Sequence, residues 1–155
     1  MRRMLCVLSL ILVTLCTLAA EEPLVIPSDL KEFANHLEYL DYTVASAEED
    51  SVRLTHEDNL NIRIKTFQNG LLVSAFLSLS KEGLDNTDDL LTFINTVNKN
   101  SAMMKMYLDD DSLVVESWYP GTYNKAAFST YMTCWIADFQ YAVEQNHDAF
   151  LKYWE

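Results

Sequence analysis

Hydrophobic and polar residues recur with clear periods along most of the chain. Within Leu60–Phe67, apolar Leu60, Ile62 and Ile64 alternate with polar Asn61, Arg63 and Lys65, which is typical of an antiparallel strand with one face in water. Asn69-Gly70 follows, a pair that tolerates the positive φ angles of a two-residue hairpin turn, and Leu71–Leu79 is the returning strand, with apolar residues at every second position from Leu71. The pattern therefore predicts a β-hairpin that turns at Asn69-Gly70.

A second hairpin is predicted further along the chain. Met103–Leu108 and Leu113–Tyr119 are strand-like runs, and the four polar residues Asp109–Ser112 separate them. Two shorter strands, Tyr42–Ser46 and Ser51–Thr55, precede the first hairpin. Together these runs supply the strands of one antiparallel sheet.

Helical spacing of apolar residues begins in the segment before the first strands. Leu30–Asp41 forms the first predicted helix, with Ser28 or Asp29 available as its N-cap. A second helix opens at Asn86–Asp89, where acidic residues suit the positive end of the helix dipole, and ends at Asn98–Ser101.

The third predicted helix begins at Asn124 and runs for about thirty residues. Asn146 interrupts its apolar stripe, so the last turns are expected to leave the core or to meet a partner. Cys134 falls beside the stripe, which predicts a half-buried, inert thiol. The residues of the stripe are Phe128, Tyr131, Met132, Trp135, Phe139, Val143 and Phe150.

The predicted element order is therefore α-β-β-β-β-α-β-β-α. Alternating strands combined with amphipathic helices indicate an α+β fold, an antiparallel β-sheet packed by three helices. A chain of 155 residues is long enough for one such domain and too short for two of ordinary size.

The N-terminal segment has the pattern of a secretory signal peptide. Met1-Arg2-Arg3 is a basic tip, the run to Ala20 is apolar, and small residues allow cleavage after Ala19 or Ala20. Residues 1–20 are thus predicted to be removed, leaving residues 21–155 as a single periplasmic or secreted domain without a membrane attachment. A retained anchor is the alternative, although the run is short for a bilayer span.

Charge narrows the choice of partners. Removing residues 1–20 takes away two arginines and no acids, so 9 basic and 23 acidic residues remain, a formal charge of −14. Such a surface repels nucleic acid and keeps an exported protein in solution, and it also suits a basic partner. Cys6 and Cys16 lie in the signal segment, so Cys134 is either free or pairs between chains.

Motifs of catalysis and metal binding are weak in this sequence. Ser78–Lys81 has the Ser-x-x-Lys spacing of penicillin-binding enzymes, but it ends a strand and no Ser-Asp-Asn or Lys-Thr-Gly follows. His36, His56 and His147 lie on different elements without paired spacing, so neither a metal site nor a nucleophile–histidine pair is predicted. No catalytic residue, metal or cofactor is therefore expected.

Asp109, Asp110 and Asp111 could surround a hard cation with carboxylate oxygens. A turn without glycine and without a distant glutamate is a poor calcium loop, which favours a solvated acidic turn. Paired acids for glycosidic chemistry stay open, because their spatial separation is not visible in a sequence.

Three features together resemble a known family. They are the helix end Phe93–Asn98, the acidic hairpin that ends at Trp118-Tyr119, and the long aromatic helix. This combination resembles the YbjN family of bacterial proteins, sometimes labelled as sensory transduction regulators, whose fold is similar to class I chaperones of type III secretion. The resemblance implies a non-enzymatic adaptor or chaperone-like module that holds another polypeptide. The export signal departs from those cytoplasmic chaperones.

The sequence thus predicts an exported, non-enzymatic protein-binding module. Its expected interaction surface combines Trp118, Tyr119 and Tyr123 with the acidic turn Asp109–Asp111, which suits a protein or basic peptide. A homodimer is left open. The alternative function is a small exported hydrolase or a cation-binding protein that uses clustered carboxylates.

Overall fold

The computed structural model describes residues 24–154, so the predicted signal peptide and its cleavage sites lie outside the described residues. Six strands form one antiparallel sheet in the order β1-β2-β3-β4-β6-β5. The predicted α+β class with an antiparallel sheet is confirmed. The elements are α1 (Lys31–Glu38), β1 (Thr43–Ala47), β2 (Ser51–Thr55), β3 (Ile62–Phe67), β4 (Gly70–Ser78), α2 (Lys81–Asp85), α3 (Thr87–Asn100), β5 (Lys105–Asp109), β6 (Ser112–Pro120), α4 (Lys125–Gln145) and α5 (His147–Tyr153).

The described part of the chain contains five helices, where the sequence pattern predicted three. The short α2 begins because Ser80 Oγ accepts a hydrogen bond from the N–H of Gly83. Asn146 has a non-helical backbone and divides the long helix into α4 and α5. Of the two alternatives expected for these last turns, departure from the core is wrong, because Phe150 and Tyr153 of α5 are buried there.

The hairpin between β3 and β4 turns one residue earlier than predicted. Gln68 and Asn69 have φ angles of 45° and 58° and form the turn, and Gly70 is the first residue of β4. A Cβ on Gly70 would overlap the carbonyl oxygen of Tyr119 and lie 2.6 Å from Nε1 of Trp118. Glycine is therefore needed for close packing against β6, and the turn itself uses the two residues before it.

The predicted hairpin between β5 and β6 is confirmed, with a tighter turn. Asp109 pairs with Ser112, so only Asp110 and Asp111 lie between the strands, and Asp110 has a φ of 53°. Aspartate is one of the few residues other than glycine that adopts this left-handed conformation readily. The acidic turn therefore consists of two residues instead of four.

The strand β5 begins at Lys105, two residues later than predicted, because a carboxylate holds the preceding backbone. Oδ2 of Asp138 on α4 accepts hydrogen bonds from the N–H groups of Ala102, Met103 and Met104, at 3.0, 2.7 and 3.1 Å. These three donors point at one oxygen and cannot pair with the neighbouring strand. The contact fixes the entry to β5 against α4.

The side chain of Asn98 attaches the end of α3 to β5. Its Oδ1 accepts from the N–H of Met106 at 2.7 Å, and its Nδ2 donates to the carbonyl of the same residue at 2.8 Å. The amide thus imitates a paired strand at the edge of the sheet. This bond pair gives a physical role to the asparagine helix end on which the family resemblance rested.

The N-caps of the helices differ from those predicted. Asn124, where the third helix was predicted to begin, caps α4, because its Oδ1 accepts from the N–H of Ala127 at 3.0 Å. Neither Ser28 nor Asp29 caps α1, whose N-cap position is occupied by Leu30 without a side-chain hydrogen bond. Asn86 precedes α3 and also makes no such bond.

One core lies between the helices and one face of the sheet. Trp135 is 1% exposed, so the predicted burial of the aromatic stripe of α4 is confirmed at its centre. Cys134 is exposed, so the expected half-buried thiol is wrong. No helix within residues 24–154 is long and apolar enough to cross a bilayer. The largest fully buried side chains include Trp135, Phe128, Phe150, Leu37, Leu71, Met106 and Leu113.

Candidate functional site

The three aromatic residues predicted to form one surface do not lie together. Trp118 and Tyr119 are neighbours on β6, so their side chains point to opposite faces of the sheet. Trp118 is exposed, whereas Tyr119 is buried against Phe33 and Phe128, with ring centroids 5.7 and 5.4 Å away. Tyr123 is half-buried on the helical side. The expectation that Tyr119 is exposed is therefore wrong.

The acidic turn is remote from Trp118. Asp109, Asp110 and Asp111 are exposed, and the side chain of Asp111 accepts only a long bond of 3.4 Å from Ser112. Trp118 lies six residue steps beyond Ser112 on β6, which corresponds to about 20 Å along an extended strand. No three His, Cys, Asp or Glu side chains in the described range come close enough together to hold a metal ion.

The structure instead exposes aromatic and basic side chains on the face of the sheet that points away from the helices, hereafter the outer face. Large exposed apolar patches on soluble proteins commonly mark interaction sites. Tyr107, Phe67, Phe76 and Trp118 are 37, 43, 44 and 47% exposed. The outer face comprises these four aromatic residues together with Leu72, Val114, Arg53, Arg63, Lys65, Lys105, Ser74 and Glu116.

A polar row crosses the middle of the outer face. The residues of this central row are cross-strand partners from β2 to β5, in the order Arg53, Arg63, Ser74, Glu116 and Lys105. Because cross-strand partners project from the same face, their side chains form one continuous line. The register of five strands is what brings them together.

Apolar rows flank the central row on both sides. One contains Leu72 and its partner Trp118, and the other contains Phe76, Val114 and Tyr107. Each lies two residues along the strands from the central row, a separation of about 7 Å. Val114 is buried although it faces away from the helices, since the aromatic partners on either side cover it.

Glu116 is the buried acid of the central row, and three neighbours neutralise or bind it. Lys105 Nζ lies 3.0 Å from Oε1, while Oε2 accepts from the hydroxyls of Tyr107 and Ser74 at 3.1 and 3.4 Å. Partial burial and the bond to the charged Glu116 raise the pKa of Tyr107 to about 12, so its hydroxyl stays a donor. Glu116 and Lys105 therefore satisfy each other.

Arg63 lacks such a partner. Its Cζ lies 4.8 Å from the centre of the Phe76 ring, a cation–π contact, and no ion pair within residues 24–154 includes it. Its Nε is buried without a hydrogen-bond acceptor. Arg53 stands directly opposite, and its own acid, Glu48, is 4.0 Å away with both side chains exposed. Like charges in opposed positions repel.

The outward strand positions carry more basic than acidic residues, whereas the chain as a whole is acidic. Outward positions of the strands hold four of the eleven basic residues, but only Glu116 and Asp109 of the 23 acidic ones. The full chain has a formal charge of −12. Glu48 and Asp50, which precede β2, lie against Arg53 and Lys65, so the basic charge of this face without a close acid is that of Arg63.

A second, smaller site lies between α1 and α4, where His36 is buried. Its Nδ1 is 2.9 Å from the hydroxyl of Tyr123 and its Nε2 is 3.1 Å from Oγ of Ser129, residues 87 and 93 positions away. Burial and the charge of Lys125 lower the pKa of His36, which favours the neutral imidazole. These side chains line a cavity of about 420 Å³. The sequence carried no spacing signal for this contact.

Comparisons with known proteins identify the fold. No protein-family model and no curated protein sequence matches the chain. The crystal structure of YbjN from E. coli, a proposed transcription regulator, is similar with a TM-score of 0.62 and 17% identity, over 81% of this chain and 96% of that one. An uncharacterized protein from Methanothermobacter thermautotrophicus gives 0.56 and 12% identity, over 79% and 99%.

A chain of the heterodimeric ExoU–SpcU complex, from the type III secretion system of Pseudomonas aeruginosa, is also similar. Its TM-score is 0.48 with 18% identity, over 71% of this chain and 93% of that one. At such identities the likeness to YbjN establishes the fold and leaves the activity open. The resemblance to YbjN predicted from the sequence is confirmed at the level of the fold.

Proposed function

We propose that the protein is a non-catalytic binding module that holds a polypeptide segment of another protein against the outer face. The observation that carries this proposal is the set of four partly exposed aromatic side chains on a sheet face that no described element covers. Aromatic residues and arginine are the residue types enriched in protein interfaces. The outer face offers both types: the Phe76 ring lies beneath Arg63, and the indole of Trp118 is exposed.

The shape and charge of the face favour a polypeptide over other ligands. Small molecules bind in concave pockets, whereas a sheet face offers an open surface with parallel rows of side chains. Nucleic acid is disfavoured by the formal charge of −12. An extended or helical segment can contact several rows at once, so it gains the most area from this surface.

Photo-crosslinking tests the position of the interface. Phe76 would be replaced by p-benzoylphenylalanine, and the matched control would carry the same residue at Tyr141, which is 53% exposed on α4. We expect a discrete adduct from position 76, none from position 141, and loss of the adduct when Trp118→Ser is added. Equal labelling at both positions would remove the outer face as the interface. An adduct of twice the chain mass would identify a homodimer.

We further propose that the module acts outside the cytoplasm, as Met1–Ala20 suggests. Mass spectrometry of the exported fraction should find a chain that begins at Ala20 or Glu21. An intact Met1 in the membrane pellet would contradict this compartment without affecting the binding surface.

A specific observation also supports a hydrolase as the second candidate, with a serine nucleophile in place of the clustered carboxylates expected from the sequence. A serine hydroxyl within hydrogen-bond distance of a histidine, itself oriented by a third group, is the arrangement of an activated nucleophile, and Ser129, His36 and Tyr123 have it. The same contacts also satisfy a buried histidine, so the outer face remains the preferred site. A fluorophosphonate probe decides: labelling that disappears in Ser129→Ala and in His36→Gln would support hydrolysis. No labelling of the folded protein would exclude the serine as a nucleophile.

A further inference from the structure

Resting on the proposed function, we infer that the segment held on the outer face is acidic at its centre and apolar on either side. In an extended conformation its pattern would be a large apolar residue, any residue, Asp or Glu, any residue, and a second large apolar residue. The argument uses the spacing of the rows, the unpaired charge of Arg63 and the charge of the chain as a whole.

The spacing of the rows matches an extended peptide. Side chains at positions i, i+2 and i+4 of a strand project from one face and are about 7 Å apart in succession. The apolar row of Trp118, the central row at Arg63 and the apolar row of Phe76 have the same separation, since they lie two residues apart on paired strands. A segment that runs along β4 therefore meets Leu72, then Ser74 with Arg63 and Glu116 on its two sides, and then Phe76.

The ion pairs of the outer face indicate which charge the central residue of the bound segment should carry. Lys105 is 3.0 Å from Glu116, and Lys65 is 2.6 Å from Asp50, so both lysines have acids. Arg63 has none among the described residues, and its neighbour Arg53 has only an exposed acid at 4.0 Å. A carboxylate placed between the two guanidinium groups would relieve their repulsion and bind in the two-pronged geometry that arginine favours.

The overall charge of the molecule disfavours a second copy as the occupant. Two chains of formal charge −12 repel at long range, and the acids lie mostly away from the outer face. The basic partner expected from total charge would instead have to meet acidic parts of the surface such as the Asp109–Asp111 turn. A basic segment on the outer face would add a third cation beside Arg53 and Arg63.

Fluorescence anisotropy with labelled peptides tests the chemistry. The probe has the core Leu-Ser-Asp-Ser-Phe within neutral Gly-Ser flanks, and two companions replace Asp by Lys, or replace Leu and Phe by Ala. We expect the acidic probe to bind the intact protein at least about tenfold more tightly than either companion. The preference over the Lys peptide should shrink between about 0.1 M and about 1 M salt, as the screening length falls from about 10 Å to about 3 Å.

Variants of the protein locate the effect. Arg63→Gln should abolish the preference for Asp over Lys, and the matched control Lys31→Gln, an exposed cation on α1, should keep it. Arg53→Gln serves as a second variant if Arg63→Gln changes the circular dichroism spectrum. Equal binding of the Asp and Lys peptides, or no binding of the Asp peptide, would overturn the acidic assignment. The crosslinking result from Phe76 would still decide separately whether the outer face binds a polypeptide.

Discussion

Asp138 offers the sharpest test of how the helices hold the sheet, because one carboxylate oxygen accepts three consecutive backbone N–H groups. Replacing Asp138 with Ala leaves those donors without a protein acceptor. The amide of the exposed Ala102 can turn to water, but Met104 is buried and Met103 is half-buried. The N–H groups of Met103 and Met104, which water reaches poorly, therefore determine how much stability is lost.

The expected magnitude follows from these two bonds. A hydrogen bond to a charged group contributes roughly 1.5–3 kcal/mol, and the half-exposed carboxylate reduces this, so Asp138→Ala should lower the free energy of unfolding by about 2–4 kcal/mol. Asp138→Asn keeps a neutral acceptor of the same shape. Since charge-assisted bonds are about twice as strong as neutral ones, Asn should lose about half as much as Ala.

Urea denaturation monitored by far-UV circular dichroism measures these differences, and Glu144→Ala is the matched control. Glu144 is an exposed acid on the same helix, so its replacement removes the same charge and should change stability by less than about 0.5 kcal/mol. Amide exchange at Met103 and Met104 provides a local readout. If Asp138→Ala matched Glu144→Ala in both measurements, the carboxylate would not be what holds the entry to β5.

Three further predictions concern the core, a turn and pH. Trp135→Ala should lower the free energy of unfolding by about 3–5 kcal/mol, because it removes a buried aromatic side chain. Trp135→Phe should lower it clearly less, because the buried Nε1 has no hydrogen-bond partner to lose. Similar denaturation midpoints for the two variants would contradict this. Gly70→Ala should lower stability by about 1–3 kcal/mol through overpacking against β6, and an unchanged melting temperature would refute the close contact. The lowered pKa of His36 means that the unfolded chain binds its proton first, so stability should fall as pH drops below 6.5, and His36→Gln should flatten that part of a stability–pH curve.

Local patterns in the sequence were enough to predict most of the elements, because each depends on neighbours in the chain. The strand Ser51–Thr55 has the predicted bounds, and α4 begins directly after Asn124, where the third helix was predicted to start. The five-residue α2 was missed because so short a helix shows no period of 3.6 residues, and its only signal is Ser80. The strand alternation that separates Trp118 from Tyr119 was readable in the sequence, and applying it would have removed Tyr119 from the predicted surface.

The outer face could not be predicted from local patterns in the sequence. Its central row needs the order β2-β3-β4-β6-β5 and the register of each pair, and Arg63 and Glu116 come from different hairpins. The sequence around Glu116 does not show that it pairs with Lys105. The sequence around Arg63 does not show that it lies opposite Arg53 without an acid of its own. The contact of His36 with Ser129 depends in the same way on how two distant helices pack.

The polar central row gives the outer face a means of selecting its partner. An unbroken apolar face would accept many hydrophobic segments, including those of unfolded chains. Here any occupant that covers Phe76 and Trp118 must also cover Arg63, and burying an unpaired guanidinium carries a large desolvation penalty. A partner with a carboxylate at that position avoids the penalty, whereas an apolar or basic one does not, so discrimination arises from the cost imposed on wrong partners. Because Glu116 is already held by Lys105, Tyr107 and Ser74, it is poorly placed to turn toward Arg63 and remove this selectivity.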